Sequence, residues 1–109
     1  MKEVRYDYVV GHRLRVRVHL VLSGKDVSQA AIALEHEWHQ GDWRRVVCID
    51  KYGGRWHRDR FRPDRSHYER HEAVFHTADV HQGVAWPTAE LCERGEAYVA
   101  TFRRLADDV

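Results

Sequence analysis

Cysteine is scarce in this chain: Cys48 and Cys92 are the only two in 109 residues, and they form no C-x-x-C pair. A disulfide framework, a cysteine-based zinc site and a dithiol redox motif are therefore excluded, and both thiols are expected to be buried. No apolar run approaches the roughly 18 residues that span a bilayer. The start, MKEVRYDYVV, lacks the apolar stretch and cleavage site of a signal peptide. A soluble, cytoplasmic protein with no membrane partner is the expectation. Neither sign of charge dominates, since 18 Lys and Arg stand against 17 Asp and Glu, so net charge selects no partner and only its distribution informs. Phosphate-binding glycine loops, a dinucleotide fingerprint and a Ser/His/Asp order are all missing. So are internal repeats and low-complexity segments.

What remains is a composition able to close a core, with 43% hydrophobic and 32% charged residues, in a length that suits one domain over residues 1–109. Period-2 alternation dominates the first half. From Arg13 to Leu22, Leu14, Val16, Val18 and Leu20 face one side and Arg13, Arg15, Arg17 and His19 the other, which predicts a half-buried strand. Residues 3–9 alternate more weakly and pair with it through Gly11 and His12. SGKD is turn material, with Gly24 free to take a positive φ. Residues 27–38 fit helix by propensity and strand by period, with Ala30, Ile32, Leu34, His36 and Trp38 on one face; the Gly41-Asp42 hairpin signal that follows favours strand. Strands at 43–50 and 55–61 then flank the KYGG turn, and one more, starting at His67, ends near Phe75. Residues 76–87 read as a loop. A single helix over about 88–107, capped by Thr88, presents Leu91, Tyr98, Phe102 and Leu105 on one stripe. The predicted architecture is α+β: an antiparallel meander of about five or six strands packed against a C-terminal α-helix.

Nine histidines are the compositional oddity. His67 and His71 have i, i+4 spacing and His36 and His39 have i, i+3 spacing. HYERH nevertheless lacks the Glu after its first His, and a strand sends His36 and His39 to opposite faces, so no metal site is assigned.

The densest chemical signal is RWHRDRFRPDRSHYERH, residues 55–71, with six arginines against three acids and interleaved aromatic and imidazole rings. Arginine beside aromatics suits a phosphate backbone and unpaired bases. With Arg13, Arg15 and Arg17 it forms a candidate nucleic-acid surface that adds Arg58, Arg62 and Arg65, provided the strands lie side by side. The alternative is a face kept soluble by arginines neutralised by cross-strand acids. A metal-independent ribonuclease needs a base, an acid and a cation. His57, His67 or His71, and Arg60 are the candidates, with Asp59 orienting His57. Strand parity puts His57 and Asp59 on one side and Arg58 and Arg60 on the other. A hydrogen-bonded His57–Asp59 pair buried beneath the helix is the competing reading.

The run VVCIDKYGGRWHRDRFRPD, residues 46–64, together with the terminal helix, resembles a group of small bacterial proteins similar in layout to the TumE family of toxins, encoded beside helix-turn-helix antitoxins. The matching positions are Asp50, Gly54, His57, Arg58, Asp59 and Phe102. Asp59 stands where the pattern also takes a second His, and the polar stretch before the helix is longer. The resemblance implies toxin-like growth inhibition through RNA, with an antitoxin protein encoded nearby; the ribonuclease reading itself expects no cofactor. A non-catalytic module binding nucleic acid or an acidic protein is the second functional expectation, and a homodimeric subunit the third.

Overall fold

The computed structural model describes residues 1–52, 55–72 and 80–107. Six strands, β1 (Lys2–Gly11), β2 (Leu14–Ser23), β3 (Asp26–His39), β4 (Asp42–Tyr52), β5 (Arg55–Phe61) and β6 (His67–Glu72), precede two helices, α1 (Val80–Glu93) and α2 (Gly95–Leu105). Strand order in the sheet equals chain order, and every neighbouring pair is antiparallel. The fold is the α+β meander expected from the alternation. Gly24 and Gly41 take positive φ (64° and 78°) at two of the reversals.

One face of the sheet is covered. In register across it stand Val16, Leu34 and Val47, then Val18, Ile32 and Ile49, all buried with Leu91, Tyr98, Val99 and Phe102 of the helices. β-branched residues dominate these rows because they pack well on a pleated surface. The other face is left open by the described elements and carries Arg5, Asp7, Arg15, Arg17, His19, Glu35, Asp50, His57 and Asp59 in the complementary register positions.

Two expectations change. The helical region is two helices, not one, and it begins at Val80 inside the segment read as a loop; residues 76–79 lie outside the described ones. Thr88 is no cap. It sits within α1 and its hydroxyl donates to the Val84 carbonyl at 2.9 Å, while Pro87 lies inside the same helix. The polar composition hid the helix because α1 buries only part of its surface. β6 runs to Glu72, and residues 73–75 of the expected strand are outside the described region.

A β-bulge shapes the open face. Leu34 pairs with Val47 and Glu35 with Arg45, so Val46 is the extra residue on β4. Val46 and Val47 are consequently both buried, and Arg45, which strict alternation from Ile49 would send under the helices, is turned onto the open face. A second shift between Arg60 and Phe61 leaves Tyr68 extra and sets His67 opposite Phe61.

Candidate functional site on the open sheet face

β4 and β5 bring Asp50 opposite His57 and Cys48 opposite Asp59, making a square of chemistry-bearing side chains on adjacent strands. Asp50 Oδ1 is buried and has no hydrogen-bond partner among the described residues. Burial first, and the Asp59 charge second, push the Asp50 carboxyl above the usual aspartate range; the charges of His57 and Arg45 pull the other way and are overcome. Asp59 has a side chain only 14% exposed and is held by Arg70 Nε at 3.4 Å, with His67 Nε2 at 3.9 Å. Burial pushes the Cys48 thiol up to about 12, so at neutral pH it is a protonated, packed thiol and no nucleophile.

Beside this cluster the face sinks into a trough of about 220 Å³, floored by Ala31 and Ala33 and walled by Arg5, Arg17, His19 and Arg45 together with the acids Asp7 and Glu35. Ala31 is in register with Asp50 and Ala33 with Cys48, so the floor of the trough lies one strand from Asp50 and two from His57. Two small side chains amid long ones make the depression. Arg45 and Arg5 carry no ion pair among the described residues, so their guanidinium groups are available to an anion in the trough.

His57 and Asp59 thus share one face, as the spacing required, and the shift between Arg60 and Phe61 brings His67 to the same face beside Asp59. Arg58 and Arg60 lie on the other: Arg58 Nη2 bonds Glu69 Oε1 at 3.0 Å, and the Arg60 guanidinium stacks on Tyr98 at 5.1 Å and on Tyr68 at 5.5 Å. The merged basic surface is therefore corrected, because alternation on β5 divides its arginines from those of β2. The arginines of β2 are also spoken for, Arg15 by Glu35 at 2.8 Å, Arg17 by Asp7 at 3.2 Å and Arg13 by Glu37 at 3.4 Å. Arg62 and Arg65 serve the β5–β6 turn, Arg62 donating to the His67 carbonyl and Arg65 pairing with Asp42. His71 is in register with Arg58 on β6. The reading of His57 and Asp59 as a pair beneath the helix is overturned, since the helices pack on the opposite face.

Sequence reasoning did not assign roles to Arg45 or to Asp50 as an acid. The bulge that exposes Arg45 has no composition signal, and the burial of Asp50 depends on strands far apart in sequence. A family model described as a domain of unknown function, DUF7718, matches residues 1–108. The chain belongs to the DUF7718 family. Neither a curated protein nor a solved structure matches it. Among the described residues, no group of three or more His, Cys, Asp or Glu in the DUF7718 chain is placed to hold a metal ion, and no helix is long and apolar enough to cross a membrane.

Proposed function

We propose that the open face carries a metal-independent acid–base site for phosphodiester cleavage in single-stranded RNA, and that the protein is a bacterial toxin acting in the cytoplasm and restrained by a protein encoded nearby. The observation that carries the reading is Asp50, a carboxyl pushed towards its protonated form by burial and Asp59 beside an imidazole on the neighbouring strand. A carboxyl whose proton affinity is displaced upward by its surroundings is a common mark of an acid–base site. In this scheme His57 accepts the proton of the ribose 2′-hydroxyl as it attacks phosphorus. Asp50, protonated, gives a proton to the departing 5′-oxygen, and Arg45, which has no ion pair among the described residues, stabilises the charge on the pentacovalent phosphorus. Asp59, anchored by Arg70, positions the cluster. The resemblance to the TumE layout supplies the toxin and antitoxin components of the proposal.

The test is cleavage of unstructured RNA in the presence of chelator. His57→Ala and Asp50→Asn each lower the rate by about 10²- to 10⁴-fold while the melting midpoint holds. A wild-type chain that cleaves no RNA and does not slow growth on expression overturns the reading.

A second reading, a non-catalytic binding module, is favoured by the acid pairing of Arg13, Arg15 and Arg17, which leaves the open face close to neutral. It predicts partner binding that survives His57→Ala.

A further inference from the structure

β1 is the first strand of the sheet and, among the described residues, pairs only with β2. It is ten residues long, holds no proline, and pairs regularly until the shift between Val9 and Gly11. Such an edge presents a row of open backbone donors and acceptors, and proteins usually blunt it. Here the edge carries exposed charges of both signs, at Lys2, Glu3, Arg5 and Asp7, followed by exposed apolar groups: Tyr8 is 43% and Val9 88% exposed. An apolar groove of about 720 Å³ runs along its covered side, lined by Val4, Tyr6, Tyr8 and Leu22 and closed by Val84 and Ala89 of α1.

We propose that β1 pairs antiparallel with β1 of a second copy of this chain, joining two six-stranded sheets into one. The sequence of the strand selects the register. When Tyr6 faces Tyr6 of the second copy, the whole of Lys2–Val10 is used, Arg5 stands opposite Asp7 on the open face and, by symmetry, Asp7 opposite Arg5. On the covered face Val4 meets Tyr8, so the aromatic row continues across the two-fold axis beside the groove. Moving the axis to Arg5 would set Arg5 against itself and Glu3 against Asp7, two like-charge clashes. Moving it to Val4 restores complementarity through Glu3 and Arg5 but gives up the apolar end of the strand. A charge pattern that alternates in sign about Tyr6 attracts its own inverted copy. A run of lysines would have repelled it.

Sedimentation of the full chain at micromolar concentration gives a dimer. Arg5→Asp and Asp7→Arg, each alone, weaken it by about tenfold through like-charge pairs opposite one another. The double variant Arg5→Asp/Asp7→Arg recovers it, because the exchanged charges still face each other in this register and in no register centred on Val4. Under mild oxidation Tyr6→Cys links two chains and Val4→Cys does not, the unsubstituted chain controlling for Cys92. Melting of each variant confirms the fold, because the Arg17–Asp7 pair is exposed and of small worth. A monomer in sedimentation overturns the proposal, as does a dimer whose affinity ignores the charge exchange.

Discussion

At the scale of single residues, His36 shows how a histidine becomes structural. It is 4% exposed, on the covered face. Nδ1 lies 2.9 Å from the Arg13 carbonyl, so it carries the proton, and Nε2 accepts from Arg103 Nη2 at 2.8 Å. Protonating Nε2 would set one cation against another in a buried place. Burial first, and then the charges of Arg103 and Arg13, hold its proton affinity below the ordinary imidazole value, against the opposing hydrogen bond to Arg13 and the charge of Glu96. The unfolded chain therefore binds the proton more readily, and the stability His36 contributes is present above the ordinary imidazole range and lost as pH falls through and below it. Thermal melts should show a midpoint falling from neutral pH towards pH 5, with a shallower fall in His36→Gln. Asp50 has the opposite sign. Its folded-state affinity is raised, so the fold is weakened at neutral pH, where the unfolded chain has already released that proton. Asp50→Asn should melt at the same temperature or higher while losing activity, the pattern of a residue kept for chemistry at the expense of stability.

At the scale of elements, the junction of α1 and α2 is set by close approach to the sheet. Gly95 opens α2, and a Cβ there would sit 3.2 Å from Leu14 Cδ2 and 3.5 Å from Leu34 Cδ1. Gly95→Val should cost about 1–3 kcal/mol by overpacking, read from denaturant midpoints; an unchanged midpoint would show that α2 is free to lift. The same element carries Phe102, 1% exposed, against Trp38 at 5.6 Å between ring centres. Strands were legible because Leu14, Val16, Val18 and Leu20 alternate strictly, a pattern with no helical counterpart. α1 was not, since Pro87 and Gly83 sit inside it and its stripe is short. Parity located His57 and Asp59 correctly with respect to Arg58 and Arg60. It failed for Arg45, because one inserted residue at Val46 reverses every side chain beyond it.

At the scale of the whole molecule, charge is arranged in pairs across strands, so the surface carries less free positive charge than its arginines suggest. Arg5 and Arg45 are the open-face cations without an ion pair among the described residues. If single-stranded RNA lies in their trough, log K should fall by about 1.4 per tenfold rise in salt, at about 0.7 for each phosphate contact. Equilibrium binding across a salt series checks this, and a slope several times steeper would mean that the β2 arginines release their acids on binding. Which face works was hidden from sequence because both faces of β5 carry ionisable groups, and only the helices, packed from the far end of the chain, decide which of them stays open. The central claim is that this open face holds a carboxyl tuned for proton transfer. Carbon-detected NMR titration of the Asp50 side chain tests it most directly. The account predicts a midpoint above the ordinary aspartate value that moves down in Asp59→Asn; a midpoint at or below the ordinary value, indifferent to Asp59, would contradict it.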